Sequence, residues 1–170
     1  MVRAIVVPAD PDEPLRELDT SVPDAVGTAV GGFMEAVDLF DLGITIYVNE
    51  SGLLQHLPFN SRVSFLWWHY ALGGRRHSTL VGDAVIVGLT DEDGADTEVP
   101  SETWELLHTD AAYLVEVRLV GDGQWQVGLP VWLDYWDSLM WATLLLEQIP
   151  GANATRVVPA EPHEDDIAAA

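Results

Sequence analysis

A carboxylate, a phenol and an amide lie close together in the chain at Glu35, Tyr47 and Asn49. The segments "FMEAVDL" (33–39) and "ITIYVNE" (44–50) read as two strands joined by a short loop around Asp41 and Gly43. Pairing them symmetrically about residue 42 sets Glu35 opposite Asn49, with Tyr47 close by. Such a trio can hold a polar ligand or move a proton. The alternative is a strand face half open to water, with Glu35 solvated or bonded to Tyr47 or Asn49. No histidine or arginine stands near enough in sequence to match a general base, so the second reading is preferred and no catalytic residue is assigned.

A second group consists of acids alone: Asp91, Glu92, Asp93, Asp96, Glu98, Glu102 and Glu105. Between Arg76 and Arg118 there are ten acids and no arginine or lysine. Carboxylates in series can face a basic partner or imitate duplex phosphates, which carry about one charge per 1.7 Å of axis. The alternative is a solvated linker. Other chemistries lack their carriers. Cysteine is absent, which removes thiolate and disulfide chemistry. His56, His69, His77 and His108 are scattered, and His163 stands in the tail, so no metal site is expected. The G-x-S-x-G, G-x-G-x-x-G and P-loop patterns do not occur. In "GGRRH" (73–77), Arg75 and Arg76 are expected to satisfy carbonyls at a helix end. No cofactor is called for.

These residues stand in a chain of 170 with 48% hydrophobic residues and seven tryptophans, enough for a packed core. Its formal charge is −21, and all seven bases are arginine. That imbalance disfavours direct binding to nucleic acid or to anionic membranes and favours basic partners. Three origins remain open: the residue usage of a GC-rich genome, adaptation to a salty cytosol, or acidity selected for binding. The opening "MVRAIVVPADPDEP" has an apolar run too short for a signal peptide. No apolar stretch reaches the ~20 residues of a membrane span. The expectation is a soluble, cytoplasmic protein.

The elements that must position the candidates follow from periodicity and punctuation. Residues 3–9 read as a strand interior to a sheet, and "LREL" as a short return strand. A helix is expected over 21–30, with a capping box at Ser21 and Asp24 and a stop at Gly31 and Gly32. A second helix is expected over 61–74, with Ser61 as cap, a stripe of Val63, Leu66, Trp67 and Tyr70, and a stop at Gly73 and Gly74. Residues 84–89 read as a buried strand. After an acidic linker at 91–100 come a short helix capped by Ser101, a hairpin around "GDG", a long helix over 131–149 and a last strand at 155–160. The long helix carries Trp132, Trp136, Leu139, Met140 and Thr143 on one stripe, with Trp141, Leu145 and Leu146 away from it, so it either sits between two layers or contributes to a homodimer interface. The fold class is α+β: two small mixed units, 1–90 and 101–160, with mostly antiparallel sheets each covered by a helix. A disordered tail is expected at 161–170.

The motifs "RAIVVPAD", "VGGFMEAV", "YVNESG", "LPFN" and "VGDAVIVG" occur in that order over residues 3–88. Together they resemble a family of small domains of unknown function carried by phages, plasmids and integrated elements and common in actinobacteria. The likeness covers about the first 100 residues, and "SGLLQHLPFN" departs from the family's pattern, where a polar turn and "GLPPN" are expected. Residues 101–160 lie outside it, and "YWDSLMWATLLLEQIP" with "TRVVP" is similar to a small appended module of other actinobacterial and phage proteins. The resemblance implies an accessory gene of mobile DNA acting in the bacterial cytoplasm, and it transfers no catalytic residue.

The expected function is therefore non-enzymatic: binding a basic host or phage protein, as a DNA mimic or anti-defence factor would. The alternative is a structural or small-ligand module whose acidity reflects genome composition, and the outsider is an enzyme using Glu35.

Overall fold

The computed structural model describes residues 2–71 and 74–160 and divides into two compact units, Met1–His108 and Thr109–Ala170. Leu72, Gly73 and the tail from residue 161, where a helix stop, a disordered end and His163 were expected, lie outside the described residues. Both units are α+β with antiparallel sheets.

The first unit is built on alternating and continuous apolar runs that become five strands: β1 (Arg3–Val7), β2 (Arg16–Asp19), β3 (Met34–Leu39), β4 (Ile44–Asn49) and β5 (Ala84–Gly88). Their order in the sheet is β2-β1-β5-β4-β3, every neighbouring pair antiparallel. The three central strands are the ones buried on both faces; β1 and β5 are apolar on both, while β4 carries Thr45, Tyr47 and Asn49 on one of its faces. On one face, Ala4, Val6, Val85 and Val87 pack with Val26 and Val30 of helix α1 (Ala25–Val30). On the other, Ile5, Val7, Ile46 and Ile86 are fully buried. Helix α2 (Ser61–Ala71) approaches β3 and buries Val63, Phe65, Leu66 and Trp68.

Three local expectations are corrected by the hydrogen bonding. The capping box does not form, because the amide and hydroxyl of Ser21 both donate to Asp19 Oδ1, at 2.9 and 2.6 Å. Helix α1 therefore starts only at Ala25, and Gly31, with φ of 78°, ends it. Asn60 rather than Ser61 caps α2: its Oδ1 accepts from the Val63 amide at 3.4 Å, and its carbonyl accepts from Ser64. The Asn60 amide also donates to Val7 O and Gly82 O, both at 2.9 Å, so one buried side chain ties a helix start to β1 and to the approach to β5. The third helix, α3 (Ser101–Leu107), has Pro100 at its N-cap, with Ser101 inside the first turn and no side-chain cap.

The predicted linker at 91–100 is part of this unit. Gly88 pairs with Thr97, and buried Thr103 of α3 donates its hydroxyl to Leu42 O at 2.7 Å. The division of the chain accordingly falls after His108.

The second unit contains β6 (Tyr113–Leu119), β7 (Gln126–Leu133), α4 (Tyr135–Gln148) and β8 (Ala152–Pro159), with sheet order β7-β6-β8. The helix lies over one face. Ala142 and Leu145 join Val115 and Val117 in a core flanked by Trp141, Leu129, Leu133 and Val157. Two expectations fail here. Residues 131–133 belong to the strand, since Asp134 caps α4 by accepting from the Asp137 amide at 2.8 Å, and Trp132 is half exposed on β7. Trp141 and Leu145, read as facing away from the main stripe, pack with the sheet, while Leu139 and Thr143 of that stripe are fully buried as well. On the opposite face Arg118 and Arg156 both lie over the Trp125 ring, 5.0 and 4.5 Å from its centroid, and Arg156 pairs with Glu116.

Replacing Asn60 by alanine strands two buried carbonyls and uncaps α2. Chemical denaturation of Asn60→Ala is expected to show a loss of about 3 kcal/mol. A loss below about 1 kcal/mol would contradict the role given to Asn60.

Candidate acidic interaction surface

The acidic segment begins where β5 runs out. Gly88 N donates to Thr97 O at 2.9 Å, Leu89 N donates to Gly43 O at 3.1 Å, and Thr97 Oγ1 donates to Leu89 O at 2.7 Å. A loop is thereby closed across its base. At its tip Asp91 organises the turn, its Oδ1 accepting from the amides of Asp93 and Ala95 at 3.0 and 2.9 Å. Gly94 supplies the φ of 79° that the turn needs. Gly88 is required for a different reason. A Cβ there would stand 2.2 Å from Glu98 O and 2.3 Å from Thr97 Oγ1, so only glycine lets the returning strand come this close.

The seven predicted acids divide by what holds them. Asp91 is engaged with its own loop backbone. Asp96 is half-buried and accepts the Tyr47 hydroxyl at 2.8 Å. Glu92, Asp93, Glu98, Glu102 and Glu105 are exposed, and none pairs with an arginine among the described residues. Glu102 and Glu105 stand three apart on α3, on the side away from buried Thr103 and Leu107. Three of the unit's five arginines are engaged elsewhere: Arg3 with Glu17 and over the Trp104 ring, Arg16 with Asp83, and Arg62 on the carbonyls of Pro8, Asp10 and Glu13.

The predicted trio of Glu35, Tyr47 and Asn49 is not assembled. The hairpin closes through a 3-10 turn at Phe40–Leu42 and Gly43, with Leu39 paired to Ile44, one residue away from symmetry about 42. Met34 therefore opposes Asn49 and Glu35 opposes Val48, which puts Glu35 on the sheet face away from Tyr47 and Asn49. Each of the three has a separate situation. Glu35 is exposed. Asn49 donates to Val30 O and Gly31 O, at 3.2 and 3.0 Å, taking up carbonyls at the end of α1. Tyr47 is turned to Asp96, a pairing that sequence reasoning missed because the two residues are far apart in the chain. The Tyr47 phenol is pushed up to about 12, first by burial, then by its bond to Asp96 and the charges of Asp96 and Asp38.

Among the described residues no group of three or more histidine, aspartate or glutamate side chains is placed to hold a metal ion. His69 is largely buried in α2, its Nδ1 without a hydrogen bond, and burial lowers its pKa. His108 donates from Nδ1 to Trp104 O and stacks on the Trp104 ring. Beside α1 a groove of about 650 Å³ is floored by Val6, Leu18, Ala25 and Ala29, with the Arg16–Asp83 pair at its edge. Among the described residues no helix is long and apolar enough to cross a membrane.

Two expectations follow from this geometry. Tyr47 holds its proton more tightly folded than unfolded, so its contribution to stability is complete below its ordinary pKa of 10.0 and is lost as pH rises toward about 12. Subtracting the phenolate absorbance titration of Tyr47→Phe from that of the native protein is expected to leave one step near pH 12. A step at the ordinary value would contradict the buried pairing with Asp96. The second concerns Gly88→Ala, which forces Glu98 and Thr97 off β5. Cleavage after Glu92 and Glu98 by a glutamate-specific protease is expected to quicken roughly tenfold or more. An unchanged rate would mean the loop is not held by that contact.

The family comparison falls on the same unit. The model of a family described as a domain of unknown function, DUF3846, matches residues 2–111. No curated protein and no solved structure matches the chain. The match covers most of the chain and takes in β1 through α3, including Asn60, Gly88 and the acidic loop. The chain belongs to the DUF3846 family of domains of unknown function.

Proposed function

We propose that this protein is a non-enzymatic binding protein whose acidic surface engages a basic partner protein. The observation that carries the reading is the state of the loop at 89–98 and helix α3. Among the described residues Glu92, Asp93, Glu98, Glu102 and Glu105 are exposed and have no arginine partner, on a backbone that hydrogen bonds close onto β5. The unit holds eighteen acids against five arginines, a net −13. Carboxylates carried on a backbone fixed in this way bring a basic surface in by long-range attraction, and the main chain loses little conformational entropy on contact. The partner class that fits is a protein with a cationic cleft, such as a DNA-handling or defence factor of the host or of a phage. The resemblance to families borne on mobile elements points to a phage or plasmid accessory gene in an actinobacterial host, acting in the cytoplasm.

The test compares the native protein with a variant in which Glu92, Glu98, Glu102 and Glu105 become glutamine and Asp93 becomes asparagine. Capture of basic proteins from a host lysate is expected at low salt, to fall steeply at high salt, and to be lost in the variant. A control neutralised at Asp12 and Glu13 should retain it. Capture that is absent, insensitive to salt, or equal for all three proteins would overturn this reading.

A further inference from the structure

We propose that the free edge of β3 accepts an extended basic segment of a partner protein as a sixth strand of the first sheet. β3 is the end strand beyond β4, and no strand pairs with its other side among the described residues. The direction of its backbone groups follows from one bond. Glu50 N donates to Phe33 O, so residues 33, 35, 37 and 39 face β4, and the N–H and C=O groups of Met34, Ala36 and Asp38 point to the open side. An edge of this kind is a template for another chain unless something blocks it.

The other sheet edges are blocked or short. β2 has four residues and carries Arg16 in an ion pair. β7 contains Pro130 and breaks register twice against β6, and β8 breaks register once and ends at Pro159. β3 pairs with β4 over its whole length with no shift and carries no proline, glycine or basic residue. Phe33 and Phe40 flank it at 84% and 76% exposure, offering apolar contact at both ends of an incoming strand.

Charge decides the occupant. Glu35 and Asp38 are exposed and three residues apart, so one carboxylate stands on each face of the edge. A second copy is a poor fit. Antiparallel self-pairing centred on Ala36 brings the two Glu35 side chains to diagonal positions and joins two units of net −13. An extended segment with arginines three apart sets one cation opposite each carboxylate while its backbone satisfies the open edge. The partner is basic, as in the reading above, but the surface is a different one, so either can fail without the other.

The test uses a rhodamine-labelled octapeptide, Thr-Val-Arg-Val-Thr-Arg-Val-Thr, with two controls: a same-composition peptide with arginines four apart, and the first peptide N-methylated at alternate residues. Binding by fluorescence polarisation at low salt is expected for the first peptide, with hydrogen-exchange protection appearing at the amides of Met34, Ala36 and Asp38. Both controls are expected to bind roughly tenfold more weakly. Ala36→Pro removes an N–H that points away from β4, so the sheet is retained while binding falls by about the same factor. The variant neutralised at 92, 93, 98, 102 and 105 should still bind. No binding by the first peptide, equal binding by the controls, or binding unaffected by Ala36→Pro would overturn the proposal.

Discussion

The first unit must hold eighteen carboxylates with five arginines, so ion pairing cannot be what fixes most of its acidic side chains. Two of those arginines are matched to single carboxylates, Glu17 and Asp83, and a third, Arg62, is turned to backbone carbonyls. The acidic residues after β5 are held instead by their own main chain. Gly88 admits the return of Thr97 and Glu98, Asp91 ties its turn together, and α3 is anchored through Thr103 to Leu42. Held this way, the carboxylates stay repulsive toward one another and available to an outside cation. The compensating stability has to come from the sheet, whose central strands are buried on both faces.

This explains why the sheet was legible in the sequence and the acidic segment was not. Runs such as "RAIVV" and "AVIVG" carry their burial in their composition, and the antiparallel α+β arrangement follows from them. The loop at 89–98 is closed by backbone bonds, which leave no apolar periodicity, so an acidic stretch with a glycine and a proline reads as a linker. The available signal was Gly88 itself, a glycine closing a buried strand where a close backbone approach is one of few reasons for it. The hairpin shows a sharper failure. Both strands were placed correctly, yet a one-residue difference in the turn moved Glu35 to the other face and dissolved the predicted trio. At α4, apolar residues 131–133 continue the helical stripe without a break, and only Asp134, a capping type three residues before Asp137, marks the true start.

The family match ends near the start of the second unit, where a three-stranded sheet under α4 has its own core. The Asn60 tie, the Gly88 approach, the acidic loop and the free edge of β3 all lie inside the matched residues. Two of the motifs that carried the early resemblance gain physical meaning here. The glycines of "VGGFMEAV" end α1, whose last carbonyls are taken by Asn49, and "LPFN" ends on the residue that caps α2 and bonds β1. They are structural markers of the domain, and neither lies in the acidic surface.

A preformed acidic surface requires the segment at 89–98 to be part of the fold. Native-state hydrogen exchange measures that directly. The amides of Gly88, Asp91, Gly94 and Ala95, each bonded within the loop, are expected to exchange well below random-coil rates, with Gly88 approaching its neighbours in β5. Exchange of Asp91, Gly94 and Ala95 at random-coil rates would mean a solvated linker, and the case for a preformed acidic surface would fall.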